Sequence, residues 1–449
     1  MADHPSAEFG MSRDQLEDIV QKAVAGAGTR GADQAEAAAS VGTGLSVTVR
    51  RGEVETLEYQ RDRNFTVTVY FGHRKGSAST SDLSPGAIAE SVDKACSIAR
   101  YTAVDTFAGL ADADLMAGDP PDLQLDRPWP LAPEEAIRLA EECEAAGMAV
   151  DERITNSEGG SVNTGRGVRV YGNSHGFIGS YPSTSHGISC VLVAGSGDGM
   201  ERDYWYTSAR DPGELMTPED VGTKAADRTL RRLGGRKIAT CTAPVIFPAE
   251  LARGLLGSFV SAIRGTAQYR RASFLLDAVG QQVLPRAVRI DERPHLPGAM
   301  ASVPFDSEGV ETSDRVLVDS GVLQSLVLSS YSARKLGLRT TGNAGGIHNL
   351  VVSGGGGSLD DLAATMGSGF LINELMGQGV NVVTGDYSRG ASGFWIEDGE
   401  IAFPVTEVTI AGNLREMLLG IAAIGDDVDM RGTIRTGSIL LDRIRIAGD

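Results

Sequence analysis

The chain has 449 residues, and its 41 lysines and arginines against 59 aspartates and glutamates give a formal net charge of −18 at pH 7. An acidic surface repels phosphate backbones and anionic lipids, so we expect neither nucleic acid nor a membrane as a partner. Hydrophobic residues make up 41% of the chain, which is too many for a disordered protein. The length predicts about three domains.

The four cysteines, Cys96, Cys143, Cys190 and Cys241, include no CxxC pair, which argues against a zinc ribbon and a thioredoxin-like site. So few thiols are typical of a reducing compartment. The N-terminal residues lack a basic region followed by an apolar run, so no signal peptide is predicted. No run of 18 apolar residues occurs either, so we expect a cytoplasmic protein.

The first predicted unit, residues 1–110, mixes helices with antiparallel strands. Ser12 and Gln15 form a capping box at the start of a helix predicted over residues 12–24. Alternating apolar residues then predict two half-buried strands at 45–49 and 65–71. A second helix is predicted to start at Ser84.

The second predicted unit, residues 111–236, is also α+β. Its Pro/Asp-rich start, residues 118–130, is typical of a linker. A helix is predicted over 133–146, ended by Gly147, and strands follow to about residue 210. The unit closes with a helix capped by Thr217, whose end holds five basic residues between 228 and 237. We interpret these as complementing the helix dipole and aiding solubility rather than as a binding patch.

The third predicted unit, residues 237–449, is rich in glycine and mainly antiparallel β. One helix is predicted near residues 248–263, and strands are predicted at 316–318, 322–328, 381–383, 401–405 and 439–446. The predicted fold class is therefore α+β.

Short catalytic patterns in this sequence favour structural interpretations. None of the six histidines begins an HExxH motif or has a second histidine at helical chelating distance, so no local metal site is predicted. Residues 172–176 match GxSxG, but strand-like sequence rather than a helix follows, which favours a turn over a nucleophile elbow. The four glycines at 354–357 lack the lysine of a phosphate-binding loop, so a flexible loop is predicted.

Three glycine-rich segments combine charge with unusual backbone freedom: residues 156–160, 341–349 and 384–397. Each could line a groove in which exposed backbone pairs with an extended peptide. Each could equally be a tight corner, the last of them held by an Asp386–Arg389 ion pair. The residues alone favour the interpretation of these segments as tight corners over that of a peptide-binding groove.

Longer motifs resemble the TldD/PmbA family, and specifically its PmbA (TldE) branch, over nearly the whole chain. These motifs are SFLL at 273–276, PFDSEGV at 304–310, YSARKLGL at 331–338, GGIHN at 345–349 and GDYSRGA at 385–391. The resemblance implies a cytosolic metallopeptidase that acts on unfolded or modified peptides. It also implies that a TldD-like and a TldE-like chain pair around an internal chamber.

The resemblance further implies that only the TldD-like chain carries the zinc motif, HExxxH on a helix with a later cysteine. The matching positions here are Gly257, Ser258 and Ala262, and no cysteine follows Cys241. Glycine and alanine have no donor atoms and serine is a poor zinc ligand, so no metal and no catalytic residue are expected in this chain. Asn343 stands where the branch usually has histidine, which puts that histidine's role in doubt.

The expected function is therefore that of a non-catalytic subunit that completes the chamber, with zinc on a TldD-like partner and an extended peptide as substrate. His348, Asn349, Asp386 and Arg389 are the candidates for contacting the peptide or the partner. One rival hypothesis is an autonomous enzyme using an unrecognised site such as His348 with Asp386. A second is a non-enzymatic binding scaffold. A homo-oligomer is possible when the chain is alone.

Overall fold

The computed structural model describes residues 10–119 and 121–449, so His4 and Pro120 lie outside the described residues. The helices in this part of the chain are α1 Arg13–Thr29, α2 Pro85–Tyr101, α3 Pro133–Met148, α4 Pro218–Arg231, α5 Ala249–Ile263, α6 Gly265–Tyr269, α7 Ser330–Leu336, α8 Leu359–Met366 and α9 Leu414–Leu419. The strands are β1 Gln34–Arg50, β2 Glu53–Phe71, β3 Arg74–Thr80, β4 Ile154–Asn173, β5 Ile178–Ala194, β6 Glu201–Ala209, β7 Cys241–Phe247, β8 Ile290–Glu292, β9 Arg315–Asp319, β10 Val322–Leu323, β11 Leu350–Val352, β12 Gly369–Met376, β13 Asp386–Glu397, β14 Glu400–Asn413, β15 Ile421–Ile424, β16 Ile434–Arg435 and β17 Ile439–Ala447. The predicted α+β class is confirmed.

One antiparallel sheet of six strands, in the order β3-β2-β1-β4-β5-β6, runs through the first half of the chain. The alternation predicted for β1 and β2 is confirmed, since Val47, Val49, Phe65 and Val67 are fully buried. Two pairs of helices, α1 with α2 and α3 with α4, cover the face of the sheet to which these buried side chains point. Each pair packs on its own apolar cluster. Because β1 pairs directly with β4, residues on both sides of position 110 share one sheet, and the domain boundaries proposed at 110 and 236 stay predictions.

The capping boxes and caps read from the sequence are confirmed. The Ser12 side chain accepts a hydrogen bond from the Gln15 amide, and Ser84 and Thr217 cap α2 and α4. The prediction that Gly147 ends α3 is wrong, because the helix continues to Met148. Gly147 instead allows α4 to approach closely: a Cβ at this position would lie 2.8 Å from the Gly222 carbonyl oxygen.

The linker predicted at residues 118–130 is wrong for its second half. Leu123 and Leu125 are buried, and the Leu125 carbonyl accepts hydrogen bonds from the Thr184 amide and hydroxyl at 2.9 and 3.2 Å. The segment fills the seam between the two helix pairs, where Asp126 forms a bidentate ion pair with Arg166. Its prolines and aspartates therefore shape a packed segment rather than a flexible one.

The C-terminal part contains two further sheets, in the orders β10-β9-β8-β11-β16 and β14-β13-β12-β7-β17-β15. An extra pairing of β14 with β17 closes the second sheet on itself. Two predicted strands are wrong: residues 381–383 belong to a turn, and only 322–323 of the segment 322–328 form a strand. In the turn, the Asn381 side chain accepts the Val383 amide at 2.9 Å, a local bond that competes with strand pairing.

Of the GxSxG residues, 172 and 173 end β4 and 174–176 form the turn into β5, so the predicted turn is confirmed. The four glycines at 354–357 lead into α8, where Ser358 and Asp361 form a capping box. Among residues 10–119 and 121–449, none of the helices has the length and apolarity that a membrane crossing requires.

Candidate functional site

The positions that match the family's zinc motif lie on α5. This helix packs Leu255, Leu256 and Phe259 into the core, which turns Gly257 and Ser258 toward the other face. Apart from its chain neighbours and the adjacent backbone of α5, no atom of the described residues lies within 4 Å of a Cβ placed on Gly257, so the position is open. The Ser258 hydroxyl donates a hydrogen bond back to the Gly254 carbonyl at 3.2 Å.

Ala262, at the third position, is completely buried, and its carbonyl accepts hydrogen bonds from Gln268 Nε2 and Ser273 Oγ. The helix therefore presents no side-chain nitrogen or sulfur donor at the three motif positions, and these residues do not fit a zinc ion. Across the described ranges, 10–119 and 121–449, no group of three His, Cys, Asp or Glu residues is placed to hold a metal ion.

The segment 341–349 is a loop whose backbone is tied to a buried carboxylate. Glu292, at the end of β8, is 2% exposed. Its Oε1 accepts hydrogen bonds from Asn343 Nδ2 at 2.8 Å and from the His348 amide at 2.7 Å. Its Oε2 accepts Arg315 Nε at 2.6 Å. Asn343 thus holds the loop through its side-chain amide.

His348 and Asn349 point into the protein rather than into a groove. His348 is 7% exposed, and its Nε2 lies 3.2 Å from the Gly342 carbonyl oxygen. Burial lowers the pKa of His348, and nearby Glu292 opposes that shift only in part. Asn349 is fully buried in a left-handed conformation with φ of 40°, and its side chain bonds to the backbone of Ala301 and Arg293. Both residues fix the path of the chain into β11.

Asp386 and Arg389 lie on β13, not in a tight corner. Asp386 is exposed and its Oδ2 accepts the Thr384 hydroxyl at 2.6 Å. Arg389 is half-buried and donates from Nη2 to the Leu375 carbonyl at 3.2 Å, while its buried Nε has no hydrogen-bond partner in the described part of the chain. Residues three apart in a strand point to opposite faces, so the predicted Asp386–Arg389 ion pair is not formed.

The structure does not join His348 to Asp386. His348 bonds within its own loop, and Asp386 bonds to Thr384 at the start of β13. In the part of the chain that the structure describes, no hydrogen bond or ion pair connects the two side chains. The geometry therefore gives no support to the rival hypothesis of an autonomous site built from this pair.

A cluster of carboxyl groups and tyrosines where the N-terminal sheet meets the C-terminal part was missed by the sequence interpretation. Glu36 accepts hydrogen bonds from the Tyr171 hydroxyl at 2.8 Å and the Tyr70 hydroxyl at 3.1 Å. Burial raises the pKa of Glu36, and the neighbouring Glu308 raises it further. The Glu308 carboxylate in turn accepts the Ser330 amide at 2.9 Å.

Asp306, a further member of this cluster, is buried, with 3% exposure. Its two oxygens accept the amides of Glu308, Val310 and Ala344. Burial, with repulsion from Glu308, raises its pKa to about 7. Asp306 and Glu308 belong to the motif at residues 304–310, but spacing along the chain does not show that Glu36 lies beside them.

The motif at 331–338 docks the C-terminal part on the end of the first unit. The Tyr331 hydroxyl donates to Asp105 at 2.6 Å, and Arg334 donates to the carbonyls of Phe107, Gly109 and Leu110. These bonds join segments more than 200 residues apart. The motif is therefore part of the interface within the chain.

A cavity of about 1160 Å³ lies where β6 and α4 face the C-terminal sheet. Lys224 Nζ sits 3.9 Å from the centroid of the Trp205 ring in its wall, and burial lowers the pKa of Lys224. The basic stretch predicted to serve solubility has a further role here. Arg228 pairs with Asp203 and Glu250 at 3.4 and 3.0 Å, which ties α4 to the start of α5.

Comparison with known proteins agrees with this architecture. Three domains of the PmbA/TldA metallopeptidase family match the chain: domain 1 at residues 35–99, the central domain at 126–233 and the C-terminal domain at 240–448. Metalloprotease PmbA of Escherichia coli O157:H7 is 53% identical over 417 residues, which cover 93% of this chain and 92% of that protein.

Two crystal structures share the fold over nearly their full lengths. A proposed modulator of DNA gyrase from Bacteroides thetaiotaomicron superimposes with a TM-score of 0.92 at 28% identity, covering 97% of this chain and 99% of that one. TldE from Thermococcus kodakarensis superimposes with a TM-score of 0.81 at 21% identity, covering 96% and 100%. The chain belongs to the PmbA/TldD metallopeptidase family, in its PmbA (TldE) branch.

Proposed function

We propose that this chain is the non-catalytic subunit of a two-chain cytoplasmic peptidase. A TldD-like chain would hold the zinc ion on which hydrolysis of unfolded or modified peptides depends. This chain would close the chamber and help to hold the peptide in an extended conformation. It could form a homo-oligomer when the partner is absent.

The observation that carries this proposal is the face of α5. A family of metallopeptidases requires metal ligands somewhere in its functional unit, yet the matching positions here are an open glycine, a serine bonded to its own helix and a buried alanine. A donor set of this kind cannot replace two imidazoles and a carboxylate. The ligands would then have to come from a second chain.

The loop 341–349 supports a positioning role. Glu292 and Asp306 hold its backbone from both sides, through the amides of His348 and Ala344. A rigid loop costs less conformational entropy when a peptide binds against it than a mobile loop would. The side chains of His348 and Asn349 would therefore act on a peptide through the backbone they support, and not by direct contact.

Reconstitution tests the proposal. This chain, a TldD-like chain from the same genome and their equimolar mixture are incubated with an unfolded peptide, with and without a chelator. We expect the mixture to cleave much faster than either chain alone, and the chelator to abolish cleavage. Cleavage by this chain alone at the rate of the mixture would favour an autonomous enzyme. A TldD-like chain that neither co-elutes with this chain nor gains activity from it would favour the scaffold hypothesis.

A further inference from the structure

The strand β2 has a free backbone edge along most of its length. On one side it pairs with β1 throughout, but on the other side β3 pairs only with residues 65–71. No other strand of the described residues pairs with this edge. A bulge near Glu55 interrupts the strand, so residues 56–64 form the regular part. Unpaired amides and carbonyls at such an edge are a template for another strand.

The side chains along this edge alternate between the two faces of the sheet. Leu57, Tyr59, Arg61 and Arg63 point to the face that the helices cover elsewhere. Leu57 is 42% and Tyr59 67% exposed, and both arginines are exposed as well. Neither arginine has an ion-pair partner among residues 10–119 and 121–449. In a chain of net charge −18, this is a local apolar and cationic surface.

A groove of about 710 Å³ opens beside the same edge. Tyr59 and Arg61 form one wall, residues 128–131 form the other, and Leu45 lies in the floor. Within the part of the chain that the structure describes, no aspartate or glutamate lines it. Its volume is in the range of pockets that bind small ligands or side chains.

The far wall of the groove is held in place. Trp129 packs edge-on against the His186 ring, with 5.6 Å between centroids. His186 is fixed between the Thr164 hydroxyl at 2.8 Å and the Arg127 carbonyl at 2.9 Å. Beside it, Asp126 neutralises Arg166. The groove therefore offers a preformed aromatic wall and a cation, Arg61, that no carboxylate of the described residues pairs with.

We infer that this edge and groove form a binding site for an extended peptide, separate from the glycine-rich loops of the C-terminal part. The peptide adds as a strand beside residues 56–64 of β2. Acidic side chains on its groove side meet Arg61 and Arg63, and an aromatic side chain enters between Tyr59 and Trp129. Main-chain hydrogen bonds supply affinity and alternate side chains supply specificity. The inference rests on the proposed function, because a peptide is the ligand that function implies.

The test measures binding to this chain alone, without a partner or zinc. A fluorescent peptide, Glu-Thr-Glu-Thr-Phe-Thr-Val flanked by Gly-Ser, presents two acids and two apolar groups on one face. We expect saturable binding by anisotropy, with Kd raised at least tenfold by Arg61→Glu and by Tyr59→Ala. Arg286→Glu and Tyr101→Ala change exposed residues outside the site and should leave Kd within twofold.

Two modified peptides test strand addition itself. Methylation of alternate backbone nitrogens removes the N–H groups from one edge of the peptide and leaves those of the other edge. We expect one methylated version to bind at least tenfold more weakly and the other to bind normally. Equal binding of both versions would overturn strand addition.

Two further results would overturn the site. One is a peptide that binds the Arg61→Glu chain as tightly as the unchanged chain. The other is self-association of the chain that Tyr59→Ala abolishes, with no peptide binding, which would assign the edge to a second copy. A reconstituted mixture that fails to hydrolyse peptide would refute the proposed function and leave this binding measurement unaffected.

Discussion

Replacing Glu292 with glutamine tests whether the loop 341–349 is held by a buried charge. In Glu292→Gln, Oε1 can still accept the amide of His348 and Nδ2 of Asn343. The new side-chain NH2 group, however, faces Arg315 Nε, where Oε2 accepted a hydrogen bond at 2.6 Å. Two donors then face each other, and the guanidinium loses the one carboxylate partner that it has among residues 10–119 and 121–449.

The size of the effect follows from burial. The side chains of Arg315 and Glu292 are 16% and 2% exposed, so solvent cannot replace the lost interaction. Arg315 retains neutral acceptors, Ser325 Oγ and the Leu326 carbonyl, while its Nη2 already has no hydrogen-bond partner among the described residues. Removing one partner of a buried ion pair typically costs about 3–5 kcal/mol. We expect Glu292→Gln to lower the free energy of unfolding by roughly 3 kcal/mol or more on that basis.

Urea unfolding followed by circular dichroism measures this loss. Asp319→Asn is the matched control, because it breaks an exposed pair with Arg289 at 2.9 Å in the same sheet. Exposed pairs contribute about 1 kcal/mol at most. Adding Arg315→Met to Glu292→Gln should recover part of the loss, since it removes the unpaired charge. A loss no larger than that of Asp319→Asn, or no recovery in the double variant, would refute the reasoning.

Three further predictions follow from buried and packed positions. The folded-state pKa of Asp306 is raised from 3.8 to about 7, so its contribution to stability is complete below pH 3.8 and is lost as pH rises through 7. Relative to Asp306→Asn, the unfolding free energy of the unchanged chain should fall by about 4 kcal/mol between pH 4 and 8. Parallel plots of unfolding free energy against pH for the two chains would contradict this. Gly257→Ala, at an open position, should stabilise α5 by up to about 1 kcal/mol. Gly222→Ala should instead lower the melting temperature markedly, because its Cβ would lie 2.0 Å from a carbonyl oxygen of α3. Equal changes in melting temperature for the two variants would contradict the close packing of α4 on α3. Asp386→Ala and Arg389→Ala should be additive in unfolding free energy within about 0.5 kcal/mol, and a coupling above about 1 kcal/mol would show that the two residues do interact.

Local signals in the sequence predicted the start of helices well. Ser12, Ser84 and Thr217 cap helices because a side-chain oxygen followed by the right spacing satisfies a free amide without help from distant residues. Strand lengths were underestimated. β1 spans 17 residues, but its middle holds Gly42 and Gly44, which interrupt the apolar alternation on which strand prediction depends.

The burial of several polar segments depends on long-range contacts, which could not be predicted from the sequence. The segment around Leu125 has the composition of a linker, yet it is packed because it fits the seam between two helix pairs. His348 and Asn349 are polar residues among glycines, which suggested exposure, but Glu292 and Ser302, more than 40 residues away, bury and bond them. Partners at such distances leave no local signal in the chain.

Zinc stoichiometry of the separated subunits tests the central claim most directly. The complex with a TldD-like chain is purified, its chains are separated under conditions that retain bound metal, and each is measured by elemental analysis. The account predicts close to one zinc on the TldD-like chain and clearly less than one on this chain, because Gly257, Ser258 and Ala262 present no ligand set. Stoichiometric zinc on this chain would contradict it.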